Sequence, residues 1–134
     1  MVDVDHFKPY NDTHGHQEGD ECLIAIVNAL KDALPRPVDF VARYGGEEFA
    51  IVLPGAGRNT ASDIAKLLRA AVQKLAIPHG ATGGIVTVSI GFATFAAEAD
   101  NITPDELVRR ADMALYQAKH SGRDTAREFE RVAA

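Results

Sequence analysis

Apolar residues recur along the first half of the chain with two different periods. Between residues 16 and 34, Leu23, Ile26, Val27, Leu30 and Leu34 follow helical spacing, and Pro35 and Pro37 end the run. Val38, Phe40, Ala42 and Tyr44 then alternate with Asp39, Val41 and Arg43, the period of a strand with one covered face. Gly45 and Gly46 tolerate positive φ, so the chain can reverse there into a second apolar run at residues 49–53. The pattern predicts a hairpin with Glu47 and Glu48 at its tip.

The second half repeats the logic. Ile64, Leu67, Leu68, Ala71, Val72 and Leu75 form the stripe of a helix from about Thr60. Val86, Val88, Ile90 and Phe92 alternate as a strand. Thr103-Pro-Asp-Glu106 is a capping box with proline in the first turn, opening a helix whose Leu107, Ala111, Leu115 and Ala118 face inward and which Gly122 ends. Residues 1–5 read as the tail of a strand. The order is a βαββαβ arrangement, ferredoxin-like and of the α+β class, with a mainly antiparallel central sheet and an added C-terminal helix. Residues 1–134 form a single domain.

Composition narrows the chemistry. The chain has 134 residues, 46% hydrophobic and 25% charged, as expected of an ordinary globular domain. A net charge of −5 excludes a general cationic surface for nucleic acid. If the ligand is a polyphosphate, its charge must be met by a few placed cations or bound metal. The single cysteine, Cys22, excludes an internal disulfide, fits a reducing cytoplasm and reads as a small core residue. No run approaches the length of a membrane span, and no signal peptide is visible.

Four acids hold the remaining interest. Asp3 and Asp5 end the first strand, and Glu47 and Glu48 lie at the hairpin tip. In a βαββαβ sheet the first strand can lie beside the hairpin, which would bring the four together. Taken separately, each pair could be solvated acids at a strand end and a turn. Together, with Gly45, Gly46 and Lys8 nearby, they suit Mg²⁺, which takes hard oxygen ligands. Two such ions could activate a hydroxyl and stabilise a leaving oxygen.

The run from Asp3 to Lys8 (Asp-Val-Asp-His-Phe-Lys), then Asn11, Gly15-His16 and Asp20, resembles the GGDEF domain of diguanylate cyclases. So do Arg43-Tyr-Gly-Gly-Glu-Glu-Phe49, Val88-Ser-Ile-Gly91 and the segment from Ala111 to Lys119 with Ser121-Gly-Arg123. The resemblance implies a site for GTP. Asp3, the Val4 carbonyl, Glu47 and Glu48 would hold Mg²⁺ (or Mn²⁺), with Glu47 also the acceptor of the ribose 3′-hydroxyl proton. Lys8 would neutralise charge on the transferring phosphate, and Lys119 and Arg123 would hold the terminal phosphates. Asn11 and Asp20 would read guanine, whose N1–H and N2–H a carboxylate accepts as a pair. His16 would lie against the ligand, and Gly45 and Gly46 would allow close approach of backbone to phosphate.

Arg36-Pro-Val-Asp39 matches the Arg-x-x-Asp site at which cyclases of this family bind their product as inhibitor. Without that context it would be an ion pair of small consequence. The resemblance also implies an upstream helix and a full first strand, neither of which is in the sequence, so a late start or a fragment of a longer chain carrying a sensory domain is expected. Pro9 stands where many members have a basic residue.

The implied function is diguanylate cyclase. Two GTP would condense to cyclic di-GMP with release of two pyrophosphates, in a homodimer that brings two sites face to face. The alternatives are a catalytically impaired module that binds GTP or senses cyclic di-GMP through Arg36 and Asp39, and a related cyclase or polymerase palm using another nucleotide.

Overall fold

A computed structural model describes residues 1–131. In chain order the elements are β1 (Val2–Val4), α1 (Phe7–His14), α2 (His16–Ala33), β2 (Phe40–Gly45), β3 (Glu48–Val52), α3 (Arg58–Lys74), β4 (Val88–Phe92), α4 (Pro104–His120) and β5 (Ala126–Glu128). The strands form one sheet in the order β2-β3-β1-β4-β5. Every pairing is antiparallel except β4 with β5. The α+β, mainly antiparallel sheet is therefore present, with two elements that the apolar pattern does not predict. These are the short helix α1 and the edge strand β5.

The central strands β1 and β4 divide their residues between two helical layers. Val2 pairs with both Phe49 and Ile90, and this row belongs to a core shared with Ile26 and Leu30 of α2 and Ile64, Leu68 and Val72 of α3. The alternate row, Asp3, Glu48 and Ser89, faces the layer occupied by α4. Gly91 continues that row. A Cβ on it would overlap the backbone of Leu115 and Ala111, so α4 lies directly on β4 through the missing side chain. Thr103 Oγ1 accepts the Glu106 N–H at 3.1 Å, which is the N-cap half of the expected capping box, while the Glu106 carboxylate accepts from Arg109 and Arg110 rather than from the Thr103 N–H. At the other end Arg123 N–H bonds Ala118 O across Gly122, at φ 110°, closing α4 as a Schellman motif.

Three assignments of facing residues need correction. Val38, Phe40 and Tyr44 are exposed, whereas Val41 packs against the core. β2 is the sheet's edge, and its α4-side face has no helix over it, so its bulkiest apolar residues lie on the open side. In α3, Ala61 and Ala65 are buried while Leu67 and Leu75 stand exposed. The strand β4 begins at Val88 rather than Val86, although Val86 is itself buried, its N–H bonded to Ile77 O at 2.8 Å. Cys22 is buried, and burial raises its thiol pKa to about 11. Among the described residues no helix is long and apolar enough to cross a membrane.

Candidate active site

The acids converge because β1 lies between β3 and β4. Asp3 is directly opposite Glu48 in the β1–β3 register. The Val4 N–H reaches Glu47 O at 3.3 Å, which ties the hairpin tip to the same strand. Gly46, at φ 51°, and Glu47 make the turn, a conformation that favours glycine at the first position. The Arg43 guanidinium closes the turn by donating to Gly46 O at 3.1 and 2.9 Å. Gly45 and Gly46 are exposed at the tip, with open space where a Cβ would project.

Asp3 is 5% exposed, and burial raises its pKa above the ordinary carboxylate value, with Glu47 and Asp5 adding repulsion and Lys119 opposing it. Burial likewise raises the Glu48 pKa, and the charge of Asp3 adds to the rise. Lys119 Nζ lies 2.8 Å from Asp3 Oδ2 and supplies a local positive charge. Two opposed carboxylates that are disfavoured as anions form a hard-oxygen donor set short of positive charge, which fits a divalent cation. Among the described residues no three acidic, histidine or cysteine side chains already stand together as a ligand group. Glu47 stands on the turn next to Glu48.

Asp5 departs from the expected convergence. It is buried, and its oxygens accept from Thr87 Oγ1 at 2.7 Å, Ser89 Oγ at 2.6 Å and the Asp124 N–H at 3.0 Å. A carboxylate so fully bonded to its own chain is a structural hub rather than an open ligand. Its third bond fixes a turn in which Arg123 and Asp124 both have positive φ, 62° and 45°. Asp124 in turn accepts from Arg69 and Gln73 of α3. Exposed Arg123 is thus presented from a backbone held on two sides. The sequence marks Thr87 and Ser89 as polar positions alternating with the buried Val86, Val88 and Ile90, but nothing in it joins them to Asp5.

The remaining expected residues fall into three places. Asn11 on α1 is half-buried against α2, while His16 and Asp20, in the first two turns of α2, are exposed beside it. Lys8, also on α1, is exposed and pairs with Asp12 at 3.0 Å. Lys119 belongs to the acidic cluster, where it pairs with Asp3. Arg36 and Asp39 are apart from these, before β2. Arg36 Nε donates to Asp39 Oδ2 at 3.0 Å and a second guanidinium nitrogen engages Oδ1, so the arginine caps a carboxylate with no exposed side-chain surface. The pair is closed on itself.

A cavity of about 550 Å³ lies away from the acids. It lies between residues 50–57, residues 92–95 and the start of α4, and its lining, including Val52, Phe92, Phe95 and Leu107, is apolar. Volume and chemistry point to different places here, and the convergent charges carry the functional reading.

A family model described as diguanylate cyclase, GGDEF domain, matches residues 1–125. The response regulator PleD of Caulobacter vibrioides is 41% identical over 126 residues, which are 92% of this chain and 27% of that protein. Diguanylate cyclase DgcM of Escherichia coli is also 41% identical, over 92% of this chain and 28% of its own length. The chain therefore spans little more than a quarter of these relatives. Among solved structures, the GGDEF domain of DgcB from Caulobacter crescentus in complex with c-di-GMP aligns with a TM-score of 0.84 and 34% identity, covering 97% of this chain and 75% of that one. The active GGEEF domain of a diguanylate cyclase from Vibrio cholerae aligns at 0.83 and 30%, covering 98% and 81%. Taken with the opposed acids of β1 and β3 and the glycine turn between β2 and β3, these matches mean that the chain belongs to the GGDEF domain family of diguanylate cyclases.

Proposed function

We propose that the domain condenses two molecules of GTP into cyclic di-GMP and two pyrophosphates. The observation that carries this reading is the pairing of Asp3 with Glu48 across adjacent strands, with Glu47 on the turn beside them. Asp3, the Val4 carbonyl, Glu47 and Glu48 would hold Mg²⁺ or Mn²⁺. When bound, the ion supplies positive charge that acidifies the 3′-hydroxyl and steadies the α-phosphate.

The chain's own groups do the rest. Asp20 accepts from guanine N1–H and N2–H, and Asn11 completes the contact. Gly45 and Gly46 let backbone approach the phosphates, while Lys119 and Arg123 hold the terminal ones, Lys119 by exchanging Asp3 for phosphate. Lys8 leaves Asp12 to meet charge growing on the transferring group. His16 lies along the ligand at the start of α2. Glu47 takes the 3′-hydroxyl proton as the oxygen attacks the α-phosphate of a GTP held by a second copy. The homodimer is therefore part of the mechanism. Cyclic di-GMP returns as an inhibitor at Arg36 and Asp39, which requires their closed pair to open. Within a longer cytoplasmic protein, an input domain would control how often two sites meet.

The test is cyclic di-GMP formed from GTP and Mg²⁺, by native protein and by Glu47→Gln. Product from the native chain and none from a folded variant is expected, and a variant with native turnover would overturn the assignment. The second reading is a binding module for cyclic di-GMP, which would use Arg36 and Asp39, set apart from the acids, once their mutual pair opens. It predicts calorimetric binding of cyclic di-GMP, abolished by Arg36→Ala, with no turnover of GTP.

A further inference from the structure

We propose that Gly19 is a positioning residue for base recognition, because the absence of a side chain there is what seats the Asn11 amide. The inference rests on the reading of Asn11 and Asp20 as the guanine contacts.

Gly19 is buried near the start of α2, on the side that packs against α1. A Cβ built on it would overlap Asn11 Oδ1, crowd Asn11 Cγ at 2.9 Å and touch Phe7 Cζ at 3.4 Å. The obstructed group is thus the tip of one flexible side chain. No backbone requirement accounts for glycine at this place, since Gly19 is helical and is not among the positive-φ residues. Glycine inside a helix is destabilising relative to alanine. Its benefit here is steric.

Asn11 itself shows how tightly the seat fits. Its Oδ1 is buried without a hydrogen-bond partner, whereas the residue as a whole is half-exposed. An unbonded buried acceptor is unfavourable, so packing, and not bonding, keeps the amide in that gap. Any side chain at position 19 would expel it. Asp20 is the next residue on α2. The offset between amide and carboxylate is therefore set where α1 and α2 touch at Gly19, and a base that must satisfy both groups reads that offset.

The experiment compares native protein, Gly19→Ala, Asn11→Ala and the double variant by calorimetry. The probe is 3′-deoxy-GTP with Mg²⁺, which lacks the attacking hydroxyl, with 3′-deoxy-ATP as the control base. Gly19→Ala is expected to weaken 3′-deoxy-GTP about tenfold, the loss of one good base contact, and to narrow the preference over 3′-deoxy-ATP. The double variant should bind as Asn11→Ala does. Native affinity in Gly19→Ala, or additive losses in the double variant, overturns the proposal while leaving Asn11 as a base contact if Asn11→Ala is weak. Native affinity in Asn11→Ala removes the base-contact reading and this inference with it. If Gly19→Ala fails to fold, Asn11→Gly combined with Gly19→Ala should restore folding, because the overlap is with Asn11. Failure to restore it likewise overturns the proposal.

Discussion

Lys119 Nζ, from the last turn of α4, stands 2.8 Å from Asp3 Oδ2 in the middle of the sheet. An acid read as a metal ligand and a lysine read as a phosphate ligand are thus each other's partner. The side chain of Asp3 is only 8% exposed and that of Lys119 30%, so the pair is largely removed from water. Removing one member leaves the other poorly compensated.

Lys119→Met should therefore lower the stability of the ligand-free domain by about 1–3 kcal/mol. Urea unfolding measures it. The same variant should gain more stability from Mg²⁺ alone than the native protein does, because the ion no longer competes with an ammonium for Asp3. Equal Mg²⁺ responses would show that Lys119 does not occupy the ion's place.

The pH dependence follows from the raised pKa values of Asp3 and Glu48, both caused first by burial. Such groups bind protons more tightly folded than unfolded, so the folded state gains from acid. Their contribution is fully present below the ordinary values of 3.8 for Asp3 and 4.5 for Glu48 and is lost as pH rises from there through the raised folded values. Glu48→Gln should accordingly gain on the native protein as pH rises above about 4.5. Denaturant midpoints of the two proteins across pH 4–8 give the difference, and a constant difference would refute the burial of charge at Glu48.

Asp5→Ala tests the hub. A methyl group offers no oxygen where the carboxylate satisfies Thr87, Ser89 and the Asp124 N–H. A loss of about 1–3 kcal/mol is expected for each buried donor left without its acceptor. Amide exchange at Asp124 should accelerate beyond the global change, because that N–H loses its acceptor. Uniform acceleration alone would mean that the turn at Arg123 does not depend on Asp5.

Gly91→Ala addresses the seat of α4. The added Cβ would meet the backbone of Leu115 and Ala111, which cannot rotate away as a side chain can. Overpacking of this kind costs about 1–3 kcal/mol or more, and here it lifts the helix that carries Lys119. A lower urea midpoint with weaker nucleotide binding is expected. Unchanged binding would show that Lys119 reaches its place from a displaced helix.

Much of this was legible in the chain because the chemistry is written in short, dense runs. Two glycines and two glutamates before an apolar run announce a turn with acids on it, whatever the rest does. The elements that escaped notice lack such density. In α1 only Phe7 and Tyr10 are buried, and Pro9 looks like a break although it occupies the first turn, where an N–H has no helical partner. β5 has three residues and one apolar side chain, so no period can appear. In β2 the alternation was real and its phase was inverted, since an edge strand can expose Phe40 and Tyr44 while a single Val41 packs inward. The role of Asp5 was hidden for another reason. Its partners are more than 80 residues away, and only the sheet order brings Thr87 and Ser89 to it.

The place of β1 between β3 and β4 has a temporal consequence. On the ribosome residues 2–4 are made before both of their neighbours, and the second neighbour is complete only at Phe92. Until then the strand has no finished pair of edges to enter, and Asp3 has no fixed position. Any property that needs Asp3 opposite Glu48 and beside Ser89 is thus among the last that a nascent chain acquires.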